Sequence, residues 1–81
     1  MRLTVLGRSY CHLCDEMVAE IRRFAAERGA ALTVDVVDVD ADPALEERFG
    51  ERVPVLVAGE SEICHFRLDR GALAAHLAKD G

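Results

Sequence analysis

The stretch Leu3-Thr4-Val5-Leu6-Gly7-Arg8-Ser9-Tyr10-Cys11-His12-Leu13-Cys14 decides how the whole chain is read. It opens on a short apolar run, Leu3 to Leu6, closed by Gly7, which predicts a buried strand. After Cys14 the apolar residues change to helical spacing. Met17, Val18, Ile21, Phe24 and Ala25 fall on one face, Glu16, Glu20, Arg23 and Glu27 lie mostly opposite, and Gly29 is placed to end the helix. Cys11 and Cys14 therefore stand where a strand hands over to a helix.

Working outward, Leu32 to Val39 is β-branched and alternating, with Leu32, Val34 and Val36 on one side. The alternation shifts at Val36-Val37, which predicts a kinked strand or one covered on both faces. Asp42-Pro43 reads as an N-cap followed by proline at the first helical position, opening a short helix through Phe49 that ends at Gly50. Val55 to Ala58 and Ser61 to Phe66 are spaced as a hairpin around Gly59-Glu60. Asp69 caps a last helix with Leu68 and Leu73 as a hydrophobic staple, and Leu73, Ala74 and Leu77 form its apolar side. His76 is read as a boundary residue without chemistry. The order β-α-β-α-β-β-α predicts an α/β fold: a four-stranded mixed sheet flanked by three helices, its first two strands parallel and its terminal hairpin antiparallel. Residues 1–81 are expected to form one domain.

Composition narrows the function classes. The net charge of −5 is spread along the chain, so nothing concentrates positive potential for phosphates, and nucleic acid is not an expected partner. No apolar run approaches the ~18 residues that would span a bilayer. The start, Met1 to Arg8, is too short and polar for a signal peptide, which predicts a cytoplasmic protein. Structural disulfides are rare in that compartment, and three cysteines is an odd number. The C-x-x-C pair then reads as redox or metal chemistry.

Placed at the N-terminal edge of a helix, Cys11 would have its thiolate stabilised by unpaired amides and the positive end of the helix dipole. Cys14, one turn further in, could then attack a mixed disulfide formed on Cys11, giving a two-step exchange. Arg8 upstream would favour the thiolate. Asp15 and Glu16 cap the helix but oppose it by like charge. His12 is expected to donate a hydrogen bond or a positive charge to the reduced form.

At these residues the chain resembles the glutaredoxin family, in its small glutaredoxin-like, thioredoxin-fold branch. Arg8-Ser9-Tyr10-Cys11-His12-Leu13-Cys14 parallels that family's Lys-Ser-Tyr-Cys-Pro-Tyr-Cys stretch, with Ser9, Tyr10, Cys11 and Cys14 identical. The resemblance implies a thioredoxin-like fold and a thiol–disulfide oxidoreductase with Cys11 and Cys14 as its catalytic dithiol. It places Arg8 where the family has a basic residue on the glutathione carboxylate. It also makes Val53-Pro54 the family's valine–proline step, with Pro54 cis and against the cysteine pair, and the Val53 backbone pairing with a bound peptide or glutathione. Read by itself, Pro54 also suits a trans proline at the start of an edge strand.

Two departures limit what the resemblance carries over. His12-Leu13 replaces Pro-Tyr, so the family's redox poise does not transfer. The Gly-Gly-Asp segment that holds the γ-glutamyl end of glutathione is replaced by Ile63-Cys64-His65-Phe66-Arg67-Leu68-Asp69, which argues against glutathione binding. The expected partners are protein or low-molecular-weight thiols and disulfides, with a separate reductant, and no cofactor beyond the redox-active disulfide. A monomer is expected. Two alternatives stay open. Cys11, Cys14 and Cys64 with His65 or His12 would suit tetrahedral zinc or an iron–sulfur module, and the cysteines could instead belong to an interaction domain that never turns over.

Overall fold

Two apolar clusters, one on each face of a four-stranded sheet, organise the chain. The computed structural model describes residues 1–80. Its elements are β1 (Arg2–Gly7), α1 (His12–Arg28), β2 (Thr33–Asp38), α2 (Pro43–Phe49), β3 (Val55–Ala58), β4 (Ser61–His65) and α3 (Arg70–Asp80), with single 3-10 turns at Val39–Ala41 and Gly50–Arg52. The strand order is β2-β1-β3-β4. β1 and β2 are parallel, and the β1–β3 and β3–β4 pairs are antiparallel. This is the mixed-sheet, three-helix α/β arrangement that the spacing of apolar residues predicts.

Alternation along β1 divides the core. Leu3 and Val5, with Leu56 opposite Val5, face a cluster completed by Met17, Ile21 and Phe24 of α1 and Leu73 of α3. Leu6, with Val55 opposite, faces the other cluster with Val39 and Phe49. Burial of apolar side chains on both faces is the main favourable term for a sheet of this size. α1 ends at Gly29, whose φ of 62° is left-handed backbone that glycine adopts freely. There the Gly29 and Ala30 amides donate to the Ala26 and Ala25 carbonyls, satisfying the helix's last acceptors. α2 begins as expected, with Asp42 Oδ1 accepting from the Ala44 amide at 2.9 Å. Asp69 Oδ1 likewise accepts from the Ala72 amide at 3.0 Å, and Leu68 packs against the cluster that buries Leu73.

The second strand differs from its expected form. It stops at Asp38, lies at the edge of the sheet, and leaves Val36 and Val37 exposed rather than covered on both faces. Val39 leaves the strand in a 3-10 turn, where it is fully buried against Leu6, Phe49 and Val55. The shift in alternation marks this exit from the strand. β4 also ends one residue early, at His65. Phe66 turns into left-handed backbone (φ 66°), where its amide donates to the Pro54 carbonyl at 2.8 Å.

α1 and α3 are joined at the surface as well as through the core. Arg70 bonds Glu27 at 2.8 Å and lies 3.6 Å from Glu20, while Glu20 also pairs with Arg23. The bond from Arg70 holds the Glu27 carboxyl below its usual range, and the bond from Arg23 does the same for Glu20. Arg28 and Arg70 both lie over the Phe24 ring, at 4.6 and 5.7 Å. No helix among the described residues is long and apolar enough to cross a membrane.

Phe24 is 1% exposed and sits where α1, α3 and the sheet meet. Phe24→Ala should therefore lose about 3–5 kcal/mol in urea unfolding, a large part of the ~5–15 kcal/mol typical of a domain.

Candidate active site

Cys11 is the N-cap of α1, in extended backbone (φ −96°, ψ 106°), and its carbonyl accepts from the Asp15 amide at 3.2 Å. The Cys14 amide donates to Cys11 Sγ at 3.2 Å. Cys11 and Cys14 are joined as a disulfide with their Cα atoms 5.2 Å apart. The two sulfurs differ in access, because Cys11 is partly exposed and Cys14 is 4% exposed. After reduction, an amide already directed at Cys11 Sγ and the positive end of a 17-residue helix would both favour a thiolate there.

Cys14 reaches its place because Gly7 has no side chain. A Cβ on Gly7 would stand 2.8 Å from Cys14 Sγ and 3.2 Å from Cys14 Cβ. The last residue of β1 thus lies directly against the buried sulfur. In the sequence Gly7 reads only as the end of a strand, since nothing local distinguishes a boundary glycine from one that a sulfur packs against. The β1–β3 register pairs Leu6 with Val55, which brings Pro54 to the level of Gly7, and the Val53–Pro54 peptide bond is cis. The Pro54 carbonyl is occupied by the Phe66 amide.

Arg8 lies elsewhere than expected. Its guanidinium pairs with Glu46 at 2.9 Å and Asp40 at 3.4 Å and donates to the Gly50 carbonyl at 2.8 Å, while its Nε is buried without a partner. Two carboxylates therefore neutralise the cation that the sequence reading assigned to Cys11. Arg8 instead ties the loop before the cysteines to α2 and to the turn leading into Val53-Pro54. His12 also turns away, since its Nε2 meets Glu16 Oε1 at 3.0 Å one helical turn on and the side chain is largely exposed. Tyr10 adopts φ 60° and is fully exposed beside the disulfide. A non-glycine residue in that conformation costs roughly 1–2 kcal/mol, a feature found preferentially at functional sites.

Cys64 and His65 do not join the pair. Cys64 sits opposite Leu56 and packs against the α1-side cluster, whereas His65 is paired with Glu62 at 3.2 Å and stacks edge-on against Phe66. Among the described residues no group of three or more His, Cys, Asp or Glu could hold a metal ion. The four-ligand set considered from sequence is therefore not assembled, because β4 turns Cys64 toward the core. Burial pushes the Cys64 thiol up, the Asp69 amide lowers it, and the Asp69 and Glu62 charges raise it further.

Comparison with known proteins agrees with this fold. Residues 2–78 match the model of the Glutaredoxin-like domain (DUF836). The solution structure of protein Ne2328 from Nitrosomonas europaea is 36% identical with a TM-score of 0.79, covering 93% of this chain and 88% of that one. An X-ray structure of a protein from X. campestris is also 36% identical, with a TM-score of 0.71 and coverage of 95% and 96%. The glutaredoxin-like protein NrdH-redoxin from Escherichia coli, described for its thioredoxin-like activity profile, is 27% identical with a TM-score of 0.53, covering 83% and 86%.

The site yields two expectations. Gly7→Ala should cost about 1–3 kcal/mol in urea unfolding of the oxidised protein, because the added methyl overlaps a buried sulfur that has nowhere to move. In the reduced protein at pH 8, Cys64 should be alkylated by iodoacetamide at least about tenfold more slowly than Cys11. A raised thiol pKa leaves less thiolate at that pH. Raising the pH toward the elevated value, or unfolding in urea, should narrow the gap, as read by mass spectrometry of the labelled sites.

Proposed function

The chain belongs to the glutaredoxin-like domain family, and on that basis we propose that it is a thiol–disulfide oxidoreductase working through a mixed disulfide on Cys11. One observation carries the reading: the pair caps α1 with Cys11 accessible, its sulfur facing the Cys14 amide, and Cys14 buried behind it. In the reduced protein the Cys11 thiolate attacks one sulfur of a client disulfide. The client's S–S bond breaks, its other sulfur leaves as a thiolate, and a Cys11–client disulfide forms. Cys14 then loses its proton and attacks Cys11 Sγ, releasing the client's second thiolate and closing the Cys11–Cys14 disulfide. Two electrons pass to the client, and a separate reductant must return them. The 5.2 Å Cα separation lies within the range that closes a disulfide without backbone movement.

In this reading Val53 offers backbone to an extended client beside Pro54, and Tyr10 borders the accessible sulfur. Arg8 is a positioning residue that holds the Cys11 loop against the approach to Val53. His12 lends Glu16 a partner and leaves the thiolate to the helix amides. The clients are protein or small thiols and disulfides. The bulky Phe66-Arg67-Leu68 segment weighs against glutathione, and the proposal adds no cofactor beyond the disulfide itself. We place the activity in the cytoplasm, in a monomer, with neither nucleic acid nor membrane as partner.

Removing the resolving thiol tests the order of attack. Cys14→Ser, mixed with a peptide disulfide, should accumulate a stable adduct on Cys11 that peptide mapping identifies. An adduct on Cys64, or none at all, would overturn the assignment.

A further inference from the structure

A groove of about 450 Å3 opens between α1 and the segment that follows β4. Its volume is in the ~300–1,000 Å3 range of ligand sites. Leu13, between His12 and Cys14, lines it at the disulfide end. Glu16, Met17, Glu20 and Arg23 continue the same helix face over about 15 Å of helix. The facing wall is Phe66, Arg67 and Leu68. That wall is anchored beside the redox pair, because the Phe66 amide bonds the Pro54 carbonyl and the Arg67 amide bonds the His65 carbonyl at 2.8 Å.

The charges in the groove are not equivalent. Glu16 meets His12, and Glu20 meets both Arg23 and Arg70. The Arg67 side chain has no ion pair or hydrogen bond among the described residues, and it is exposed. An apolar surface of Leu13, Phe66 and Leu68, backed by the buried Met17, thus lies next to one uncommitted guanidinium.

We propose that this groove receives an extended segment of a protein client while that client is joined to Cys11, and that Arg67 selects a carboxylate placed just beyond an apolar side chain of the segment. The inference rests on the dithiol reading above. The groove's length matches about four to five residues of extended chain. Its apolar surface gains by covering only if the occupant carries an apolar side chain, which favours a protein segment over a small polar thiol. A net charge of −5 gives acidic clients no long-range attraction, so the preference must come from contact with Arg67. It should survive ~0.15 M salt, where fields beyond about 8 Å are screened.

The test uses the full chain, reduced and freed of reductant, then oxidised at 0.15 M salt by symmetrical disulfides of Cys-Ala-Leu-Glu, Cys-Ala-Leu-Lys and Cys-Ala-Ser-Glu peptides. Oxidation is followed by acid quenching and mass spectrometry. The Leu-Glu peptide should react about three- to tenfold faster than the Leu-Lys peptide, in keeping with a solvent-accessible ion pair, and faster than the Ser-Glu peptide. Within the Arg67→Gln protein the Glu-to-Lys ratio should approach one, and within Arg67→Glu it should invert. Equal Glu and Lys rates in the parent protein would overturn the inference, as would a ratio unmoved by either substitution. Glutathione disulfide reacting as fast as the Leu-Glu peptide would assign the groove to a small thiol instead. A concentration-dependent dimer that Arg67→Glu abolishes in sedimentation would assign it to a second copy. The parent protein is also oxidised with 2,2′-dithiodipyridine, a small uncharged disulfide. If that reagent fails to close Cys11–Cys14, it is the dithiol reading that falls, and not the groove alone.

Discussion

The apolar seam between β1 and α1 sets the position of everything that follows. Leu3 and Val5 pack against Met17, Ile21 and Phe24 so closely that all five are at most 1% exposed. That seam fixes the start of α1 against the end of β1, where Gly7 leaves room for the Cys14 sulfur. Since a helix and a strand packed this way have little freedom to slide, Cys14 is held inside while Cys11, three residues earlier at the N-cap, remains at the surface. The inequality between the two thiols is thus a consequence of core packing. Apart from Gly7, no special residue at the site is needed to produce it.

Electrostatics at the site work by occupation. Arg8, a cation two residues before Tyr10, is drawn to Asp40, Glu46 and the Gly50 carbonyl, and so braces the loops that converge on the pair. His12 is paired with Glu16 along the helix. With both side chains engaged elsewhere, the groups left facing Cys11 Sγ are backbone: the Cys14 amide and the end of the helix. Such donors cost no reorganisation when charge develops on sulfur, and they are supplied by the fold whatever side chains surround it.

After β4 the chain turns back toward the redox pair. There Phe66 takes left-handed backbone and bonds Pro54, so the loop is tied to the site while the Phe66 and Arg67 side chains stay exposed. Arg67 and Phe66 border a groove that starts at Leu13. The pairing of β4 with β3 directs Cys64 toward the core, which separates the third cysteine from the other two and leaves no metal-holding cluster among the described residues.

Much of this was legible along the chain. The switch from period two to helical spacing at Cys14, the Asp42-Pro43 and Asp69 caps, and the hairpin around Gly59-Glu60 gave the element order, because each depends on residues within one or two turns. The Cys11–Cys14 pair at a strand-to-helix junction gave the chemistry for the same reason. Contacts between residues far apart in the chain could not be read this way. The capture of Arg8 by Glu46 spans 38 residues, and the exposure of Val36 follows from β2 being an edge strand. The fit of Cys14 against Gly7 and the groove between α1 and Phe66-Arg67 likewise depend on which surfaces the folded sheet brings together. Local periodicity and capping act through the backbone's own geometry, so the sequence alone determined the elements and the reactive pair. Which charges meet, which sulfur is buried and what surface flanks the pair were decided only by tertiary packing, because those follow from distances that no local pattern encodes.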